Sequence, residues 1–192
     1  MKDKKNCNGF NQLFEGGEAV VQSGVAHNVH ENFGKVQQGG TSLIMFGPLT
    51  DQLDFNKSGK DDTGLGRWSI MTVQGDGARV RIVCRYNLCG NNKLNSSTTY
   101  QQHRRYFVTQ QKDLSCPRVR FRHDLVKVLK QWREEGDRLI VCMDANEDIY
   151  KKSIGKTLTD TEGLNMVEAV GEFTGKKIGP TFFQGSKPID GI

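Results

Sequence analysis

The sequence contains no apolar run of membrane-spanning length, which excludes a helical span. Its start, Met1-Lys-Asp-Lys-Lys-Asn6, is polar and lacks the apolar stretch of a secretory signal. Among the five cysteines, Cys7, Cys84, Cys89, Cys116 and Cys142, there is no Cys-x-x-Cys pair, so a cysteine-based zinc site is not expected. Three of them sit in or beside apolar runs, where a free thiol behaves as a small core residue. An odd count without a signal points to a reducing, intracellular setting, nuclear or cytoplasmic. No internal repeat and no linker divides the 192 residues. That length suits one domain with its own core.

Charge is unevenly supplied. The 27 Lys and Arg outnumber the 22 Asp and Glu, for a net charge of +5 and a pI near 9.0. This balance favours polyanionic partners, nucleic acid first and anionic headgroups second. A basic but merely solvated surface is the ordinary alternative. Hydrophobic content of 35% and a mean hydropathy of −0.58 suit a rather polar, soluble protein.

Residues 1–38 form a polar, weakly periodic segment, and residues 39–192 read as the domain. In the first, Phe10, Leu13 and Phe14 have the spacing of one helical turn, and Ala19-Val-Val21 that of a short strand. His27 and His30, with Glu31, have metal-ligand spacing on a helix, but an exposed pair is the better reading there. In the second, strands are expected over Gly40–Gly47, Trp68–Val73 and Ala78–Tyr86, the last two joined by a Gln74-Gly-Asp-Gly77 hairpin turn. Asp51–Gly66 and Asn87–Thr99 read as polar loops. Tyr100–Gln111 and Phe121–Glu135 read as helices; in the latter Leu125, Val128, Leu129 and Trp132 recur at helical steps and Gly136 stops it. A basic loop or short helix over Ile149–Thr157 and a short helix over Leu164–Val170 follow. The end, Gly179–Ile192, gives two short strands, and because the second is cut off after Pro188-Ile-Asp-Gly-Ile192 the chain is expected to be a fragment.

The organising stretch is Leu139-Ile-Val-Cys-Met-Asp-Ala-Asn146. Five apolar residues, Leu139 to Met143, have the length of a strand buried on both faces. Asp144 and Asn146 follow at its C-terminal end. Two apart, they leave the same face of an extended chain, where a carboxylate and a carboxamide can activate a water and hold a phosphate oxygen. An ordinary turn is the alternative, since Asp and Asn are common turn residues.

Three stretches, Ile82-Val-Cys-Arg-Tyr-Asn87, Leu139–Asn146, and Gly179-Pro-Thr-Phe182 followed by Lys187–Ile192, together resemble the endonuclease/exonuclease/phosphatase superfamily, with its DNase I-like fold. The finer pattern, including Gly64-Leu-Gly-Arg-Trp-Ser69 and Asp144-Ala-Asn-Glu147, is similar to an uncharacterised eukaryotic, retrotransposon-like branch. The resemblance covers residues 39–192. It implies an α/β (α+β) fold, a partial four-layer sandwich with two mixed, mainly antiparallel sheets and flanking helices. It also implies a hydrolase dependent on Mg²⁺ or Mn²⁺. By the resemblance Asp144 positions or deprotonates the attacking water, Asn146 binds the scissile phosphate, Tyr86 contacts it, and Asp190 orients a catalytic His. The departures are Leu88 in place of the usual Pro and Gly191 in place of the usual aromatic. The family's N-terminal Asn, its metal-binding Glu and its C-terminal Ser-Asp-His are not found, so the metal ligands are unknown.

Arg67, Arg104, Arg105 and Arg118 are the candidate substrate-binding residues. Further basic residues, Arg120, Arg122, Lys151, Lys152 and Lys156, flank the central motif, and Tyr100, Tyr106 and Tyr150 are interleaved for base stacking. Alternating Arg118, Arg120 and Arg122 read equally well as the solvated side of an edge strand. The expected function is a metal-dependent phosphodiesterase, an endonuclease-type domain, acting as a monomer on nucleic acid with no membrane involvement. The alternatives are a non-catalytic nucleic-acid-binding remnant, or a phosphatase of inositol phosphates or lipids. With edge strands missing, the fold is expected to be only marginally stable.

Overall fold

A computed structural model describes residues 19–24, 39–90, 98–151, 154–160 and 164–191. The turn at Phe10–Phe14, His27, His30, Glu31 and Lys152 lie outside the described residues. The architecture is mixed α/β, built on a five-stranded mixed sheet of order β3-β4-β5-β6-β7. Its strands are β3 (Gly59–Lys60), β4 (Trp68–Gln74), β5 (Arg79–Tyr86), β6 (Arg138–Asp144) and β7 (Asp190–Gly191). β4 and β5 pair as the hairpin that Gly75–Gly77 closes, while β5 and β6 run parallel. A parallel pair needs a crossover, and two helices supply it: α1 (Thr99–Gln111) and α2 (Pro117–Glu134). Two short helices follow β6, α3 (Ile154–Thr159) and α4 (Ala169–Thr174). β1 (Ala19–Gly24) and β2 (Thr41–Phe46) make a separate antiparallel pair. Among the described residues this pair packs on β4 and β5, and the second mixed sheet expected from the sequence is not seen.

Two cores form because the sheet has two apolar faces. On one, Phe121, Leu125, Leu129 and Trp132 of α2 cover Trp68, Ile70, Val83, Val141 and Met143, and α3 adds Ile154 and Leu158. The four α2 anchors recur at three- and four-residue steps, so they form one stripe. On the other face Met45 of β2 and Leu53 close over Met71 and Val73.

β6 departs from expectation. Val141 and Met143 are buried, but Ile140 is 42% exposed and Cys142 only half-buried. The strand is buried on one face, because the β1–β2 pair packs on β4 and β5 and stops short of β6.

α2 starts four residues earlier than its apolar pattern, since Pro117 occupies a first-turn position where its missing N–H costs nothing. Arg118, Arg120 and Arg122 therefore stand on a helix and not on an edge strand. The expected helix over Leu164–Val170 begins only at Ala169, capped by Glu168, whose carboxylate accepts the Val170 and Gly171 N–H groups. No strand forms over Gly179–Gln184, whose backbone makes turns.

Candidate functional site

The strand register assembles the site. Tyr86 at the end of β5 lies opposite Asp144 at the end of β6, and Asp144 lies opposite Asp190 of β7. Residues abreast on neighbouring strands point to the same face, so the three side chains form one row at the C-terminal edge of the sheet. They border an open cleft of about 450 Å³, shared with Thr41, Cys84 and Cys142. The ends of parallel strands are where open α/β sheets place their ligands.

Asn146 is close by but is used differently from Asp144. The strand stops at Asp144, and Asn146 has a left-handed backbone with φ of 47°, a conformation Asn tolerates better than most residues. Its N–H donates to Asp144 Oδ1 at 3.0 Å, which is an Asx turn. Its side-chain Nδ2 donates to the Asn87 carbonyl at 2.7 Å, and its Oδ1 accepts from the Cys89 thiol at 2.9 Å. Asn87 answers across the same gap. Its N–H donates to the Asp144 carbonyl at 2.9 Å and its side-chain amide to that of Ala145 at 2.8 Å. The carboxamide thus clamps loop 87–89 onto the end of β6. Asp144 and Asn146 do not project together from an extended strand, because the turn intervenes.

Burial raises the Asp144 carboxyl above its ordinary value, and the Asp190 charge adds to this, against the opposing Asn146 N–H. Burial first, then Cys89 and Asp144, push the Tyr86 phenol up to about 12. Asp144 is therefore a stronger proton acceptor than a free aspartate. Tyr86 stays protonated at neutral pH and can donate to an anion.

The four candidate arginines separate. Arg118 is at the site: its Nη2 donates to Glu147 Oε2 at 2.7 Å and to the Asn146 carbonyl at 3.4 Å. Arg122, one turn on, reaches Glu147 Oε1 at 3.8 Å. Arg104 and Arg105 stand on α1. The Tyr100 phenol of that helix is raised by its hydrogen bond with Cys116 and by burial, with Arg104 and Arg118 acting oppositely on it. Arg67 is interior, 3% exposed. It pairs with Asp61 at 2.8 Å and Asp124 at 2.7 Å, and its guanidinium lies 4.4 Å from the Trp68 ring centroid. In this arrangement it joins the β3–β4 loop to α2 and faces no cleft.

No group of three His, Cys, Asp or Glu converges among the described residues. Asp144 and Asp190 are two carboxylates, and Glu147 is already taken by Arg118 and by the Ile154 N–H at 3.0 Å. This set falls short of a ligand cage for Mg²⁺, so no chemical step is assigned to the ion. Among the described residues no imidazole stands at Asp190 either. His103 is buried on α1, with its pKa pushed down to about 3 by burial and by Arg67, and His123 is exposed beside Asp124.

Cys89, Asn87 and Glu147 were not among the expected site residues. The signal for the first two was their place directly after Tyr86, in a loop that had to meet the neighbouring strand end. No helix among the described residues is long and apolar enough to cross a membrane. Compared with known family models, curated proteins and solved structures, the chain matches none.

Proposed function

We propose that the chain carries the strand-end part of a phosphodiesterase site acting on nucleic acid, within a sandwich of DNase I-like type. The observation that carries this reading is the single row of Tyr86, Asp144 and Asp190 across three neighbouring strands. A phosphodiester needs an aligned water, a base for its proton and donors for the charge that develops. Asp144, made more basic by burial and by Asp190, takes the proton. Tyr86 donates to a phosphate oxygen. Asn146 acts through position, by holding loop 87–89 beside Tyr86. Arg118 and Arg122 place positive charge beside the strand end, where a phosphate backbone would run.

The test is cleavage of a plasmid and a labelled oligonucleotide, with and without Mg²⁺ or Mn²⁺, by this chain and by Asp144→Ala. The expected loss in the variant is about 10²–10⁴-fold. A second reading, a nucleic-acid-binding domain without chemistry, is favoured by the absence of an imidazole at Asp190 among the described residues. It predicts no cleavage by either protein and binding that weakens steeply with salt. Neither cleavage nor binding would overturn both readings, and release of phosphate from an inositol phosphate would move the substrate class to phosphomonoesters.

A further inference from the structure

One rung before the candidate site, the sheet faces the other way. Arg85 of β5, Met143 of β6 and Gly191 of β7 lie abreast there, and alternation turns them away from the cleft. On that side α3 and the segment around Met166 enclose a cavity of about 180 Å³. Val141, Met143, Ile149, Leu158 and Met166 make its walls largely apolar, and Arg85, Lys156 and Glu168 are the charged residues of its lining, Arg85 the buried one. The Arg85 side chain is 1% exposed, yet none of its three guanidinium nitrogens has a hydrogen-bond partner among the described residues. Burial pushes its pKa down to about 9 against the pull of Glu147. Glu147 itself is held by Arg118 and by the Ile154 N–H. Glu168, at the rim, is occupied in capping α4.

An unpaired buried guanidinium is among the most costly arrangements in a protein interior. Its planar fork matches a carboxylate through two parallel hydrogen bonds. Lys156, Tyr150 and Thr159 also line the pocket, but the Tyr150 and Thr159 hydroxyls already have hydrogen-bond partners, and the rest of the lining matches an aliphatic body. The volume equals that of roughly six waters at about 30 Å³ each, room for a short chain and not for a fatty acid. We propose that this pocket binds a small aliphatic carboxylate, with its carboxylate on Arg85 and its chain against Met143, Leu158 and Met166. The two sites open on opposite faces of the sheet, Arg85, Met143 and Gly191 bordering both, and the assignment does not rest on the cleft chemistry.

The probes are hexanoate and its neutral counterpart hexanamide, added to the full chain and to Arg85→Met. Thermal melting and the methionine methyl resonances are followed. Hexanoate at a hundredfold excess over its Kd is expected to raise Tm by about 5–10 °C. Its shifts should fall on Met143 and Met166 and spare Met45 and Met71, which pack on the opposite face of the sheet. Hexanamide and Arg85→Met should abolish both effects. Equal responses to hexanoate and hexanamide, retention of the response in Arg85→Met, or no response to hexanoate would each overturn the proposal. So would stabilisation by hexyl phosphate in its place. The hexanamide comparison and the methyl map hold on the unmutated protein, whatever the variant does to folding.

Discussion

Arg81 and Arg85 stand four residues apart on the same face of β5, and both are buried. At Arg81 the fold has answered the charge. Its Nε pairs with Asp137, its Nη2 donates to Glu135 at 2.9 Å, and its guanidinium lies 4.7 Å from the Trp132 ring centroid. Arg79 joins the same two carboxylates. At Arg85 nothing comparable is present among the described residues. The two ends of one strand thus serve different ends: the edge near the helix-to-strand turn is closed by ion pairs and stacking, while the edge carrying the strand C-termini holds unspent charge beside the cleft. Polar groups left unsatisfied in a folded protein gather where binding is to happen.

The largest effect expected from disturbing this contrast is at Asp137. Burial raises its carboxyl, but the hydrogen bonds and charges of Arg79 and Arg81 outweigh that and hold it low. Asp137→Ala leaves two guanidinium groups without their main partner and should cost about 3–5 kcal/mol, read by urea unfolding. Next come the two arginines. Arg81→Met should destabilise by about 1–2 kcal/mol, because Asp137 and Glu135 each lose one of their two guanidinium partners and keep only that of Arg79. Arg85→Met should stabilise by about 2 kcal/mol, because it removes a charge with no partner and fills the space with methylenes. Opposite signs sharpen the comparison; the same sign at both positions breaks it.

The smallest effect is on pH dependence. The carboxyls of Asp61 and Asp137 lie below the ordinary range. For Asp61, burial acts upward but the hydrogen bonds and charge of Arg67 prevail. Their contribution to stability is fully present above about pH 4 and is lost as pH falls through their lowered values. Asp144 runs the other way. Its raised value means that the folded protein holds the proton more tightly than the unfolded chain. Its contribution is therefore present below about pH 4 and fades as pH rises through the folded value. Asp144→Asn should remove this fading, so that the variant loses less stability than the unmutated chain between pH 4 and pH 7, measured by urea midpoints at both pH values.

Much of the framework was legible. β4, the hairpin turn, β5, both crossover helices and β6 follow from runs and periods that dominate their own windows. The strand end at Asp144 was legible for the same reason, as a polar group placed where an apolar run stops. What could not be read is what depends on a neighbour. Whether β6 is covered on its second face is decided by where β1 and β2 dock, and the sequence of β6 is silent on that. The role of Asn146 depends on Asn87 and Cys89, some sixty positions earlier, and its left-handed turn is chosen by their contacts. Arg67 reads as a basic loop residue, yet Asp61 and Asp124 draw it inside. Arg85 sits in a motif with its significance hidden, because a missing partner leaves no trace in composition.

The parallel pairing of β5 with β6 also sets an order in time. The β4–β5 hairpin closes over four residues, Gly75 to Ala78, whereas β6 can dock only after residues 87–137 have been folded back between the strands. Long-range closures of this kind are the slow steps of folding. Tyr86 is therefore expected to meet Asp144 late, once the helices are in place and β6 docks. A chain halted on its way through synthesis before residue 144 would hold the hairpin and the helices and still have no row of site residues.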